Sequence, residues 1–203
     1  MMSLIKDLPY CTTEQLGILN LQKPYLNILL SRYTNKGMLI RLKKGMYVSR
    51  EYLEGIEKRN QRSEYDEFIS GVLYRPSYLS FDYVLYQHNL ITEMPTNYTC
   101  ASTQKTSLFK NPLGSYYYHS LKKELFLGYE IQSFNGGKIY KARKAKALFD
   151  FLYIRKNTLI HRESLEELRL NLFNLTKKDK AELMKYNAIA QSKKLTWILK
   201  ELL

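Results

Sequence analysis

Long apolar runs, a signal peptide and paired cysteines are all missing from this sequence. No stretch of about 18 uncharged apolar residues occurs, so no transmembrane helix is predicted. The first residues, MMSLIKDLPYC, lack the basic and apolar segments of a secretory signal. Cys11 and Cys100 are the only cysteines, and their spacing fits neither a disulfide framework nor a metal site. We therefore expect two reduced thiols in a cytoplasmic protein without a membrane segment.

Recognisable catalytic and cofactor motifs are also absent. His88, His119 and His161 are isolated from one another, so no metal-binding group is predicted. Neither of the glycine-rich loops that hold nucleotide phosphates, GxxxxGKS/T and GxGxxG, occurs. No Asp or Glu is followed two positions later by Lys, a pattern that common metal-dependent nucleases use beside a strand. The sequence predicts no metal, no cofactor and no catalytic residue, and hence a protein that is not an enzyme.

Positive charge, by contrast, is abundant and unevenly distributed. The 203 residues include 32 Lys and Arg against 19 Asp and Glu, which gives a formal net charge of +13. Between positions 15 and 50 there is no acidic residue at all. The same stretch holds seven basic residues: Lys23, Arg32, Lys36, Arg41, Lys43, Lys44 and Arg50. A basic segment of this kind favours a polyanionic partner, and nucleic acid is the first candidate.

The local pattern of this basic segment predicts a winged helix-turn-helix. Thr12 followed by Gln15 is a helix-start signal, so we expect a short helix that ends near residue 19. A second helix should begin near Pro24, continue to about Asn35 and stop at Gly37. Two strand-like runs, 38–42 and 46–48, then flank Lys43-Lys44-Gly45, where glycine can supply the positive φ of a tight hairpin. A basic hairpin directly after two helices predicts a wing that contacts phosphate.

The second helix has an apolar face, formed by residues 26, 29, 30 and 33, and a polar outer face without carboxylates. Such a face fits a major groove, where Asn pairs with adenine and Arg with guanine. The candidate base-reading residues are Asn27, Ile28, Ser31 and Arg32, with Asn35 at the end of the same face. The candidates for contacts to the DNA backbone are Gln22, Lys23, Arg41, Lys43 and Lys44.

The rest of the chain predicts a mixed α+β domain. Helices are expected over 66–74 and 78–89, strands between 98 and 140, and helices again over 144–155, 164–172 and 180–203. Turn signals occur at 111–114 and 135–137. We therefore expect an α+β fold with a winged helix-turn-helix domain over 1–55 and a second domain over 56–203. A second basic cluster, which could extend the phosphate-binding surface or be a solvated helix start, comprises Lys138, Lys141, Arg143, Lys144 and Lys146.

Several segments resemble the AbiEi-type antitoxins, transcriptional repressors of type IV toxin–antitoxin systems. RYTNKGMLIRLKKGMYV (32–48) is similar to the end of the recognition helix and the wing of that family. YLSFDYVLYQHNLI (78–91) is similar to the family's YLS segment, and 100–103 to a TSxT-like element. The run 140–150 resembles its KALLDLLY segment, although Arg143-Lys144-Ala145 replaces the usual Pro-Glu pair. Together these segments lie within residues 11 to 155.

The resemblance implies a repressor that binds inverted repeats in double-stranded DNA upstream of its own operon. It also implies a nucleotidyltransferase-like toxin as the functional partner, whose effect the second domain would neutralise without requiring a tight complex. Two other classes stay open. The chain could be a protein-interaction module that binds a partner through the winged helix and a tyrosine-rich domain. It could also be a nucleic-acid-modifying enzyme with an unfamiliar active site.

Overall fold

A computed structural model describes residues 1–203 of the chain and has a mixed α+β architecture, as the sequence predicts. The nine α-helices are α1 Met2–Ile5, α2 Lys23–Asn35, α3 Arg50–Lys58, α4 Arg62–Leu73, α5 Phe81–Gln87, α6 Lys144–Arg155, α7 Arg162–Glu166, α8 Lys177–Ala190 and α9 Lys193–Leu202. The nine strands are β1 Cys11–Thr12, β2 Leu39–Lys43, β3 Met46–Ser49, β4 Ser77–Leu79, β5 Tyr98–Ser102, β6 Ser107–Asn111, β7 Gly114–Ser120, β8 Tyr129–Phe134 and β9 Gly137–Ala142. Short 3-10 helices occur at Gln15–Leu19, Lys123–Leu125 and Leu172–Asn174.

The N-terminal part contains a small sheet with the order β1-β3-β2, in which both neighbouring pairs are antiparallel. The helix start predicted at Thr12 is present: its N–H donates to Gln15 Oε1 at 2.8 Å, and the Gln15 N–H donates to Thr12 Oγ1 at 3.3 Å. The short helix that follows ends at Leu19, as predicted, and is a 3-10 helix. Asn20 ends it in the left-handed conformation, with φ of 51°.

The second predicted helix and the hairpin after it lie where the sequence places them. Helix α2 ends at Asn35, and Gly37 adopts φ of +70°, the conformation that only glycine reaches without strain. Strands β2 and β3 pair up to Lys43 and Met46, so that the hairpin turn consists of Lys44 and Gly45. Gly45 has φ of +74° as expected, and its carbonyl accepts from the Thr13 N–H at 2.9 Å. This bond ties the hairpin tip to the segment before the 3-10 helix.

The larger sheet has six strands in the order β6-β7-β5-β4-β9-β8. Hairpins join β6 to β7 and β8 to β9, whereas β4 runs parallel to β9 and β5 parallel to β7. Tyrosines in β7 alternate with the period of a strand, because Tyr116 and Tyr118 are buried and Tyr117 is half-buried. Helix α4 packs against β4 and β9, while α5, α8 and α9 surround α6.

Three expectations for this part need correction. Residues 78–80 form strand β4 and the turn after it, so the predicted helix begins only at Phe81. The single helix expected over 180–203 is two helices, because Gln191 adopts φ of 48° and reverses the chain. Helix α6 has the predicted bounds, and all its residues from 145 to 152 are buried. The helix expected over 164–172 is only the short α7, which ends at Glu166.

Two hydrophobic clusters hold the structure together. A small one contains six buried residues: Ile5, Cys11, Leu16, Leu26, Leu30 and Leu39. The large one contains 39 buried residues and begins at Leu42, so the β2–β3 hairpin contributes to both. The proposed division between residues 55 and 56 stays a prediction. None of the helices combines the length and the apolar character needed to cross a bilayer.

Candidate nucleic-acid interface

A concave surface of about 920 Å³ lies between the outer side of α2 and the β2–β3 hairpin. Its polar lining includes six of the ten residues that the sequence proposes for DNA contacts: Lys23, Asn27, Ser31, Asn35, Arg41 and Lys44. All six are exposed. The structure therefore brings residues from a span of 22 positions, Lys23 to Lys44, onto one accessible surface, which we call the α2–hairpin concavity.

Helix α2 presents this surface because its opposite side is anchored in the small core. Leu26 and Leu30 are 5% and 0% exposed and pack with Leu39 of β2. The spacing of four residues keeps both leucines on one face, so Asn27 and Ser31, one position further on, lie together beside them. The orientation of the polar residues is thus fixed by apolar packing on the other side of the helix.

Gln22, Ile28 and Arg32 are also exposed, but they do not line the α2–hairpin concavity. Ile28 is 51% exposed, which is a large fraction for a branched apolar side chain on a helix. These three residues extend the polar and apolar surface of α2 away from the hairpin.

Lys43 and Lys44 are neighbours in sequence but lie on opposite sides of the hairpin. Lys44 is exposed at the turn, within the concavity. The Lys43 ammonium donates to the carbonyl oxygen of Leu73, at the end of α4, at 2.7 Å, and lies 5.9 Å from the centre of the Phe109 ring. Burial, and secondarily the charge of Arg75, lower the Lys43 pKa below its ordinary value. Lys43 therefore anchors the hairpin to the large sheet and does not line the concavity.

A second bond supports the same anchorage, because the Asn111 side-chain amide donates to the carbonyl of Leu42 at 3.1 Å. Close to the start of β1, the Tyr65 hydroxyl donates to the carbonyl of Pro9 at 2.8 Å. Hydrogen bonds just before β1 and at β2 thus tie the small sheet to α4 and to β6.

The positive charges of the N-terminal part are not neutralised within the protein. Every basic residue that forms an ion pair lies at or beyond Arg62. The seven basic residues between 15 and 50 are therefore free of carboxylate partners. Glu14 is the one carboxylate that lines the concavity, and hydrogen bonds from its own backbone N–H and from Thr12 lower its pKa, so it stays ionised. The surface is positive with one acidic residue at its margin.

The second basic cluster is not a continuous basic surface. Lys141 pairs with Glu67 at 2.7 Å, Arg143 with Glu182 at 2.7 Å, and Lys144 with Asp179 at 3.4 Å. Lys146 is fully buried and cannot reach a ligand at the surface, which corrects its assignment to this cluster. Only Lys138 is both exposed and unpaired. The acidic partners come from distant parts of the chain, so the local sequence could not reveal them.

Lys146 instead belongs to a buried polar cluster around Asp150. Its ammonium forms an ion pair with one carboxylate oxygen of Asp150, and both side chains are 0% exposed. The other oxygen accepts from the hydroxyls of Tyr78 at 2.9 Å and Ser80 at 2.8 Å. Burial raises the pKa of Asp150, while the charge of Lys146 opposes the shift. The YLS and KALFD segments, about 70 residues apart, thus meet at one carboxylate.

Sequence reasoning missed Thr13 and Tyr47, which also line the concavity. Neither residue carries charge, and Tyr47 falls in the strand-like run 46–48, so no local signal marks either one as a DNA contact. Elsewhere in the structure, no three His, Cys, Asp or Glu side chains lie close enough together to hold a metal ion. No protein-family model matches this chain, and no curated protein resembles it significantly.

Proposed function

We propose that this chain is a sequence-specific DNA-binding transcriptional repressor. In this proposal residues 1–55 are a winged helix-turn-helix in which α2 enters the major groove and the β2–β3 hairpin is the wing. The observation that carries the proposal is the α2–hairpin concavity, which combines unpaired cations with amide and hydroxyl groups. Cations hold phosphates, and Asn and Ser side chains on a helix can read base edges.

The order of elements gives further support. A 3-10 helix and α2, separated by three residues, are followed directly by a two-stranded hairpin with a basic tip. Asn27 and Ser31 lie on the side of α2 that faces the hairpin, so a groove that receives the helix would bring a phosphate strand near Arg41 and Lys44. We assign base reading to Asn27, Ser31 and the exposed Ile28 and Arg32. Lys23, Arg41 and Lys44 would contact the backbone.

We further propose that the repressor acts as the antitoxin of a type IV toxin–antitoxin system and regulates its own operon. The support is the resemblance of its segments to the AbiEi type. Tyr78 and Ser80 of the YLS segment hydrogen-bond to Asp150 of the KALFD segment, so two of the resembling segments form one buried unit. The functional partner would be a nucleotidyltransferase-like toxin encoded beside it.

The alternative of a tyrosine-rich interface for a protein partner has less support. Of the 18 tyrosines, only Tyr25 and Tyr86 are exposed, at 53% and 36%. The others are buried or half-buried, and many form ring–ring contacts inside the sheet and helix layers. Their abundance is therefore explained by packing within the chain.

The test is fluorescence anisotropy with the duplex upstream of the gene and a scrambled duplex of the same length and composition. A specific repressor should prefer its own upstream DNA by about a thousandfold or more. Equal, steeply salt-dependent binding to both duplexes would contradict sequence reading, and absence of binding to either would contradict the proposal as a whole. Growth rescue on co-expression with the neighbouring toxin gene tests the antitoxin role separately.

A further inference from the structure

A second cleft, of about 700 Å³, lies beside the N-terminal segment and shares no lining residue with the α2–hairpin concavity. It is bounded by Pro9 and Tyr10, by α4, by the start of β4 and by the β8–β9 hairpin. Its volume is within the range of about 300–1,000 Å³ that small-molecule sites occupy. We call it the β4 cleft.

The β4 cleft contains a buried hydroxyl group without a hydrogen-bond partner. Ser77 lines the cleft, is 6% exposed, and its Oγ forms no hydrogen bond within the protein. Ser102 is its direct register partner on β5 and is also buried, but Ser102 Oγ donates to the Pro76 carbonyl at 2.7 Å. Buried hydroxyl groups are nearly always satisfied, so the contrast leaves Ser77 Oγ available for a hydrogen bond to a group that enters the cleft.

Two cations and no carboxylate line the same cleft. Arg75 and Lys138 are both exposed there, and neither takes part in an ion pair. The Arg75 Nε donates only a long bond, of 3.4 Å, to the carbonyl of Gly71 in α4. Its remaining guanidinium donors can therefore turn toward a ligand. A lining with two free cations and no Asp or Glu selects an anionic group.

Aromatic rings form the rest of the wall. Tyr10 and Phe68 lie at 6.1 Å between ring centres, and Tyr129 lies 5.6 Å from Phe126 and 5.8 Å from Tyr140. All five line the cleft. Tyrosine and phenylalanine faces bind planar rings by stacking, an interaction that every nucleobase can make.

We propose that the β4 cleft binds a small molecule that consists of an aromatic ring carrying an anionic group, of the nucleoside monophosphate class. The rings would stack the base, Arg75 and Lys138 would hold the phosphate, and Ser77 would donate or accept one hydrogen bond. This inference does not rest on DNA binding, because none of the ten residues proposed for DNA contacts on α2 and the hairpin lines the β4 cleft; Lys138 belongs only to the second basic cluster.

The experiment is a calorimetric titration of the full chain with the four nucleoside monophosphates, the four nucleosides and inorganic phosphate. At least one monophosphate should bind, and its nucleoside and inorganic phosphate should each bind about tenfold or more weakly, because each lacks one of the two recognised groups. Arg75→Met and Tyr140→Leu should each weaken that binding by about tenfold or more.

Ser77→Ala separates binding from folding. It should weaken the binding of the monophosphate without lowering the melting temperature, since the hydroxyl has no hydrogen-bond partner within the chain. Ser102→Ala, its register partner, should lower the melting temperature. Lys44→Met serves as a control for phosphate binding at the α2–hairpin concavity and should leave the affinity unchanged. The proposal is overturned if no monophosphate binds with a Kd below about 10 mM, because weaker binding corresponds to negligible affinity. It is equally overturned if Lys44→Met abolishes binding while Arg75→Met and Tyr140→Leu do not.

Discussion

The adjacent residues Lys43 and Lys44 offer a matched pair for testing the proposed interface with DNA. Both carry one positive charge and are one position apart on the hairpin, yet only Lys44 lines the α2–hairpin concavity. The Lys43 ammonium is held by the carbonyl of Leu73. We therefore expect Lys44→Ala to remove a phosphate contact and Lys43→Ala to leave the number of phosphate contacts unchanged.

The expected magnitudes follow from these two environments. One lost phosphate contact should lower the slope of log K against log salt by about 0.9. When salt rises from 50 to 200 mM, both proteins should lose affinity for DNA. The fold-loss for Lys44→Ala should be smaller than that for the unaltered chain by a factor of about 3.5. Lys43→Ala should instead cost about 1–2 kcal/mol in the free energy of unfolding, because it leaves the Leu73 carbonyl without its charged donor in a half-buried position.

The assay is anisotropy of the labelled upstream duplex at four or more salt concentrations, with urea unfolding of each variant as the stability measurement. Lys43→Met, which keeps the aliphatic stem near Phe109, separates loss of the charge from loss of packing. If Lys43→Ala changes the salt slope as much as Lys44→Ala does, the hairpin does not meet DNA through the concavity, and the assignment is wrong.

Three further predictions concern stability. Lys146→Met should lower the free energy of unfolding by about 3–5 kcal/mol at neutral pH, since it leaves the Asp150 carboxylate buried without its cation. The double variant with Asp150→Asn should lose clearly less than the sum of the two single variants. Additive losses in urea unfolding would argue against the ion pair. Burial, and secondarily the charge of Arg155, lower the His119 pKa below 6.5. The contribution of neutral His119 to the free energy of unfolding should therefore be fully present above pH 6.5 and be lost as the pH drops below it. An equal loss of stability in His119→Phe would show that His119 is not the source. Thr176→Ala should cost about 1 kcal/mol, because Thr176 Oγ1 caps α8 by accepting from the backbone N–H of Asp179; an unchanged urea midpoint would show that the cap contributes nothing.

The elements of the proposed interface could be predicted because their signals are local. Helix α2 and the hairpin depend on Pro24, Gly37 and Gly45, whose conformational preferences act within a few residues. Helix α6 was predicted with its observed bounds for a similar reason, since its apolar residues recur at helical spacing. The break between α8 and α9 has one local signal that the sequence analysis passed over. Gln191 itself carries no turn signal, but Ser192 after it caps α9 by accepting from the Leu195 N–H at 3.3 Å.

The roles of individual lysines were much less predictable than the elements that carry them. The hairpin pattern places Lys43 at the end of a strand and Lys44 in the turn, but it does not show that Lys43 packs against α4 and β6. Lys146 was predicted at a surface because its neighbours are basic. Its position on a helix that is buried all round, opposite Asp150 four residues later, depends on three other helices.

Ion pairing distinguishes the basic residues of the α2–hairpin concavity from those of the second basic cluster. In the second part of the chain, carboxylates pair with seven basic residues: Arg62, Lys141, Arg143, Lys144, Lys146, Arg155 and Arg162. The basic residues of the N-terminal part have no such partners. A polyanion would therefore be attracted to the α2–hairpin concavity in preference to the second basic cluster, where Lys141, Arg143 and Lys144 are already paired. The salt dependence of DNA binding should accordingly respond to Lys23, Arg41 and Lys44 and hardly to Arg143 or Lys144, because a cation already held by a carboxylate releases few counterions when DNA approaches.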